Sequence, residues 1–416
     1  MKSVEGLWSS LACFVCWLIL GQISYIPETT LASIALIWLP TGAALAVVSV
    51  VAPWRIPWLV GASVAAAFVY SLGSGMPVTT ALVEGLGEGL AVTAGAALLR
   101  ASRQWVDARL RWVGQISACG LAATISSSGF IVAWQLGDQD LPWGTSWVLV
   151  AVGVWVGALL VTPLVTSFSA FRPKRSGGMT MLNFGGGALA YAGFLLVASL
   201  VFQGDVTERF GESLGPPLTY LPLSLLVLTA LVWGERGGLL AIASGAALMI
   251  GWTAMGRGPF ASTESFPGEA LLEVQAYVAV IALLSGLLFS LQERTARALE
   301  EAKRWRLRYL QVLDSGGFTT LTIDPRNGRC EWSENAASFF GRAPELSVSE
   351  LIERAGDAEQ PLMRAQWQAL QQGSLSQADW DWPDGSHASL TAITGPDGKV
   401  EIVTALLRKA RQRYHG

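Results

Sequence analysis

Up to residue 291 the chain is a succession of apolar stretches separated by short charged loops. A stretch of about 20 apolar residues crosses the hydrocarbon of a bilayer as one α-helix, because in lipid every backbone N–H must be bonded inside its own segment. Windows of that length place ten spans: Trp8 to Ile26, Leu31 to Ala52, Trp58 to Leu72, Val78 to Leu99, Val113 to Leu136, Trp147 to Phe168, Leu182 to Phe202, Leu218 to Trp233, Leu239 to Met255 and Leu271 to Leu291. Only 14% of the 416 residues are charged, against about 25% in a soluble protein, and the deficit lies almost entirely before Gln292.

The loops give an orientation. One alternate set holds Arg55, then Arg100, Arg103, Arg109 and Arg111, then Arg172, Lys174 and Arg175, then Arg236. The other holds Glu28, then Asp138 and Asp140, then Asp205, Glu208 and Glu212, then Glu264 and Glu269, with Arg209 and Arg257 as its basic exceptions. Positive loops stay inside, so both termini are expected in the cytoplasm. Lys2 and Glu5 precede the first span and no small-residue cleavage site follows, so that span is expected to be retained. A net charge of −3 without a Lys/Arg run argues against a nucleic-acid partner. Four scattered cysteines (Cys13, Cys16, Cys119, Cys330) do not make a disulfide scaffold. Cys13 and Cys16 form a C-x-x-C inside an apolar helix, where redox or metal chemistry lacks polar access.

From Leu271 to Asp314 the chain changes character without a helix breaker between Leu287 and Val312. The last span therefore continues into a charged helix, residues 292–313. Leu291, Thr295, Ala298, Ala302, Trp305, Tyr309 and Val312 follow a 4-3-4-3 spacing, a weak heptad seam in which Trp305 and Tyr309 are the large members. Two readings remain open: a single charged helix lying on its own domain, or a parallel homodimer through this helix.

Residues 314–410 have another period. Phe318 to Ile323 alternates as a strand, Pro325-Arg326-Asn327-Gly328 is a turn, and Cys330 to Ser333 returns. Glu334 to Phe340 and Ser347 to Gln372 read as helices. Ala378 to Trp382, Ala388 to Thr394 and Val400 to Leu407 read as strands, joined at Pro383-Asp384-Gly385 and Pro396-Asp397-Gly398. Residues 411–416 are a tail. The fold expected is thus a polytopic α-helical membrane bundle of about ten spans followed by a small cytoplasmic α+β domain with an antiparallel sheet.

Residue patterns in both parts resemble known families. Gly316-Gly317-Phe318, Trp332-Ser333-Glu334-Asn335-Ala336, Phe340-Gly341 and the turns Trp382-Pro383-Asp384-Gly385-Ser386 and Gly395-Pro396-Asp397-Gly398-Lys399 resemble a PAS domain over Leu307 to Arg408. The membrane part resembles the first-described type of the bacterial membrane-associated sensor (MASE) domains. The resemblance rests on Trp38 to Leu45, Gly87-Glu88-Gly89-Leu90 with Leu98-Leu99-Arg100, Gly157 to Leu164, Gly256 to Phe260, and Leu272 to Gln275. Members of that family usually carry Gly-Asp where this chain has Gly153-Val154. The resemblance implies a bacterial inner-membrane receptor.

Charges within a span are costly, roughly 2.5–3.5 kcal/mol each at mid-bilayer, so they mark candidate sites. Glu84 and Glu88 stand four apart on one helical face, and Gly85, Gly87 and Gly89 would admit close neighbours. Counting about 1.5 Å per residue from the outer face puts them at a depth similar to Trp38 and Pro40. Arg257 and Phe260 in an outer loop, and Glu273 and Gln275 entering the last span, approach from the same side. Trp155 is another deep tryptophan. These nine residues are the candidate lining of a polar cavity open to the periplasm, for a cation, a proton or a hydroxylated ligand. Interhelical hydrogen bonding by a protonated glutamate is the structural alternative. Pro40 and Pro163 would kink their spans.

The soluble part has no nucleophile–base pair or metal cluster, and no flavin-type cysteine context. His387 is its single internal histidine, beside a strand turn. No cofactor and no enzymatic activity are expected. The expected function is a sensor signalling through the PAS-like domain to a separate kinase, cyclase or regulator, with membrane lipids as its surroundings. A transporter, or a transporter-coupled subunit using the intramembrane glutamates, is the alternative.

Overall fold

A computed structural model describes residues 2–25, 35, 37–105, 107–136, 143–169, 181–204, 218–260, 269–316, 318–333, 347–383, 385–395 and 398–408. The acidic loop residues Glu28, Asp138, Asp140, Asp205, Glu208, Glu212 and Glu264, the basic residues 172–175, Arg209, the helix expected at 334–340, the turn residues Asp384, Pro396 and Asp397, and the tail lie outside the described residues. The chain divides into two compact units, Met1–Thr295 and Ala296–Gly416.

The first unit is helical. Its helices are α1 (Lys2–Tyr25), α2 (Leu39–Val50), α3 (Ile56–Gly73), α4 (Val78–Ser102), α5 (Ala108–Leu136), α6 (Trp143–Ser169), α7 (Met181–Gln203), α8 (Leu221–Ala254) and the start of α9 (Glu269–Gly316). Eight of them, all except α2, are long and apolar enough to cross a membrane. The unit is a polytopic membrane bundle. Its helices meet through small residues, as lipid-embedded helices do when no hydrophobic force drives them together. Gly85 and Gly89 receive Val64 of α3, while Gly87 of α4 lies against Gly129 of α5, where a β-carbon would come 3.0 Å from the facing α-carbon.

One span differs from the sequence expectation. α2 does not fill Leu31 to Ala52: Ala35, Ile37 and Trp38 are non-helical, and the helix starts at Leu39 with Pro40 in its first turn. Proline has no N–H to lose there and its fixed φ suits a helix start, so Pro40 begins this helix instead of kinking it. α8 takes in the two stretches expected as separate spans, and Gly234 between them is non-helical at φ +70° and ψ −166°, a kink that divides it into two helical arms. A β-carbon on Gly238 would lie 2.9 Å from that of Ala230, so the arms on either side of Gly234 fold back on each other. Tyr277 receives both ends: its hydroxyl donates to the Thr219 carbonyl at 2.6 Å, and its ring lies 5.5 Å from that of Phe260.

The second unit holds a five-stranded antiparallel sheet in the order β2-β1-β5-β4-β3. The strands are β1 (Phe318–Ile323), β2 (Cys330–Trp332), β3 (Gln377–Asp381), β4 (His387–Thr394) and β5 (Val400–Arg408), with α10 (Val348–Glu353) and α11 (Gln360–Gln371) between β2 and β3. In β1 and β3 alternate residues are buried, the period-2 pattern of a sheet with one covered face. Ile323, Leu390, Val403 and Trp380 form the core with Leu351, Met363 and Leu370 of the helices. Polar tips stay bonded: Trp380 Nε1 donates to Gln366 at 3.0 Å and Trp382 Nε1 to the Leu351 carbonyl at 3.1 Å. Ser347 caps α10 in a reciprocal box with Glu350. Gly328, Gly385 and Gly398 have positive φ at the expected turns.

Candidate ligand site around Glu88

α2 is too short to bury its own ends, and α4 supplies partners for both. At the start of α2, the Thr41 hydroxyl lies 2.9 Å from both carboxylate oxygens of Glu88. At its end, Arg100 donates to the carbonyls of Val48 and Val51 at 2.6 Å each, and Arg103 to Ser49 at 2.9 Å. A carboxylate thus sits at the positive end of the α2 dipole and two guanidiniums at its negative end. Two further backbone donors ahead of the helix are satisfied by protein: Trp38 N–H by the Gly153 carbonyl at 3.1 Å and Leu39 N–H by Ser24 Oγ at 3.1 Å. α6 can come this close because it presents glycine. A β-carbon on Gly157 would run into the Trp38 carbonyl, and one on Gly42 would lie 2.7 Å from the Ala158 α-carbon.

Glu88 is 3% exposed and is held from three other helices. Besides Thr41 of α2, Ser126 of α5 donates to it at 2.9 Å and Trp17 Nε1 of α1 at 3.3 Å. Each of these partners is a neutral donor, so among the described residues the carboxyl is solvated by protein dipoles without a counter-charge. Glu84, one turn nearer the start of α4, accepts from Ser71 of α3 at 2.7 Å. Four rings gather beside them. Trp17 and Trp38 meet edge to face at 5.4 Å, Tyr25 stacks on Tyr70 at 5.8 Å, and Trp38 meets Tyr70 at 5.8 Å. A cavity of about 40 Å³ is lined by both glutamates, Trp17, Tyr25, Trp38 and Ser126. That volume compares with the roughly 30 Å³ that one water takes in the liquid.

The structure therefore brings Trp38, Glu84 and Glu88 together and leaves the other six candidates elsewhere. Pro40 lines a separate crevice between α1 and α2. Trp155 faces Gly120 of α5. Phe260 belongs to a second ring cluster with Phe202, Tyr277 and Tyr220. Arg257 lies over the Trp252 ring at 5.5 Å, Glu273 is exposed, and Gln275 is buried. Counting depth from the outer face put these residues in one layer, but depth says nothing about which way round the bundle a helix lies. Thr41 was within reach of the sequence, being inside the quoted Trp38 to Leu45 segment. Ser126 stands in a Ser126-Ser127-Ser128 run that is unusually polar for mid-span. Trp17, Tyr25 and Tyr70 gave no signal beyond being aromatic. Val154, where the resembling family has an acid, also lines this cavity.

α5 connects this site to the last span. Ser126 touches Glu88, and nearer its start Arg111 forms an ion pair with Glu293 of α9 at 2.7 Å. The neighbouring Trp112 ring fills the space where Gly286 of α9 has no side chain. In the second unit, Trp305 and Tyr309 on the continuation of α9 are exposed, while His387 Nδ1 lies 2.8 Å from Asp381. Among the described residues, no group of three or more His, Cys, Asp or Glu side chains could hold a metal ion.

Comparison with known proteins agrees with the helical unit's architecture. The family model MASE1, a membrane-associated sensor domain, matches residues 9–295, from α1 to just past the Arg111–Glu293 contact. A search of curated proteins returned no match. The matched span covers more than half of the chain, and this multi-pass membrane protein belongs to the MASE1 family of sensor domains.

Proposed function

We propose that this protein is a bacterial inner-membrane receptor with both termini in the cytoplasm, whose stimulus acts at the Glu84–Glu88 cavity. The observation that carries this reading is Glu88 itself: one buried carboxyl joins α1, α2, α4 and α5 through Trp17, Thr41 and Ser126. A buried acid kept without a counter-charge, beside four π faces, suits a small cation about the size of a water molecule. Binding there would draw the donors away from Glu88 and shift α5. Ser126 and Arg111 are 15 residues apart on one helix, about 22 Å, so a shift of α5 reaches Glu293 on α9. The fold-back of α8 at Gly234 supports ten membrane segments, with α2 as a partial one. α9 carries the change onward, and its exposed Trp305, Tyr309 and Val312 favour a parallel dimer through the seam. The antiparallel sheet, with helices between its second and third strands, supports a PAS-like domain that hands the signal to a separate kinase, cyclase or regulator.

One observation favours the transporter reading: α2 starts beside Glu88 as a half-helix, and transporters use discontinuous helices at their ion sites. The two readings separate in one experiment on the full-length protein. Thermal unfolding is measured in sodium, potassium and ammonium chloride at equal ionic strength, beside uptake of the same cations into proteoliposomes. The receptor reading expects one cation to raise Tm of the wild type, no shift in the Glu84→Gln/Glu88→Gln double variant, and no uptake. Identical Tm in all three salts would remove the site, and glutamate-dependent uptake would establish the transporter.

A further inference from the structure

The C-x-x-C of α1 is not used by the cavity at Glu88, but it has a crevice of its own. Cys13 and Cys16 are three residues apart, so they share one helical face. Both line a crevice of about 350 Å³ with Ser9, Trp17, Pro40 and Arg55. Cys13 is half-buried and Cys16 exposed. Leu11, Val15 and Ile19 of the same helix are exposed too, the apolar face a membrane helix turns to lipid. A lipid-soluble reactant can therefore reach these thiols from the hydrocarbon side. The other two cysteines, Cys119 and Cys330, are buried elsewhere, and Cys330 belongs to the second unit.

We propose that Cys13 and Cys16 are a dithiol site oxidised to a disulfide by a membrane-dissolved quinone. A crevice of this volume is within the range that accepts a ring-sized ligand. The exposed Cys16 sulfur adds to the quinone ring and its proton passes to a quinone oxygen. Cys13 then attacks the Cys16 sulfur. The S–S bond forms as the S–C bond breaks, its electron pair stays on the ring, and the Cys13 proton goes to the second oxygen. Two thiols and one quinone give one disulfide and one quinol, with two electrons and two protons transferred.

The disulfide bears on the cavity through the next residue. Helical neighbours three apart have Cβ atoms about 5–6 Å from each other, whereas a disulfide holds them at about 3.5–4.5 Å. Oxidation therefore tightens the turn of α1 that ends in Trp17, the residue whose N–H reaches Glu88. The crevice and the cavity share the Trp17 wall.

The test uses the full-length protein in liposomes, treated with decylubiquinone and then with a maleimide mass tag. The expected result is loss of both α1 tags, recovery of both after reduction, and an α1 peptide lighter by two hydrogens. Cys16→Ser keeps Cys13 taggable after quinone, whereas Cys13→Ser stops at the Cys16–quinone adduct, untagged and heavier by one quinone. Full tagging of wild-type α1 after quinone overturns the proposal, as does a disulfide joining two chains. Neither result depends on what the Glu88 cavity binds.

Discussion

Glu88 and Trp380 are both buried in their respective units, and they are buried for opposite reasons. In the helical unit, Thr41, Ser63, Ser127, Thr162 and Thr229 are inside, while Leu86, Leu90, Leu189 and Leu196 are outside. In the C-terminal unit the interior is Trp380, Leu390, Ile323 and Val403, and the carboxylates of Asp379 and Asp381 flank His387 at the surface. One chain is answering two solvents. Where lipid surrounds the protein, a leucine gains little by moving inward, and stability comes from backbones in contact and from hydrogen bonds between helices. Where water surrounds it, apolar area removed from solvent is the driving term. Damage should therefore have opposite signatures in the two units: overfilling harms the first, hollowing the second.

The largest effect is expected from hollowing. Trp380→Ala should destabilise the C-terminal unit by about 3–5 kcal/mol, read as faster hydrogen exchange in β3, β4 and β5 with α4 and α5 unchanged. Equal loss of protection in both units would break the contrast. Next comes overfilling. Gly157→Val drives a side chain into the Trp38 carbonyl and should cost about 1–3 kcal/mol, seen as a lower Tm in detergent, whereas Gly61→Val, which meets nothing within 4 Å, should leave Tm unchanged. A similar loss from both valines would show that helix propensity, not contact, is being measured. The smallest effect belongs to the surface. The Ser347 backbone N–H and hydroxyl hold the Glu350 carboxyl below its ordinary 4.5. A lowered folded pKa makes the contribution complete above pH 4.5 and lost as pH falls through the folded value. Exchange of the α10 amides should accelerate over that window in the wild type and show no such step in Glu350→Gln.

The same difference in solvent decided what could be read in advance. In the C-terminal unit, alternation and turn residues located every described strand within a residue or so, because the sheet's period is written one residue at a time: β1 runs Phe318–Ile323 as expected, and β4 begins one residue early at His387. In the membrane unit, hydropathy located most spans and divided the chain near Gly234, where α8 kinks, but could not foresee that α2 starts at Leu39. That start is a local backbone event inside a mostly apolar stretch, which hydropathy alone does not mark. Of the candidate site, the acids were legible because charge in a span is rare. Their donors were not, since Thr41, Ser71 and Ser126 look like any small residue at a helix contact until three-dimensional neighbours are known.

The start of α2 also sets an order of events during synthesis. At about 1.5 Å per residue its 12 residues reach roughly 18 Å, about half of a 30 Å hydrocarbon layer. The backbone ahead of it depends on borrowed acceptors. Ser24 is already present when Leu39 leaves the ribosome, but the carbonyl that takes the Trp38 N–H belongs to Gly153, more than a hundred residues later. Until α6 has been made, this stretch has an unmet donor that lipid cannot satisfy. The nascent segment has to wait at the interface or inside the insertion machinery, and residues 1–136 alone would form a bundle with one seat empty.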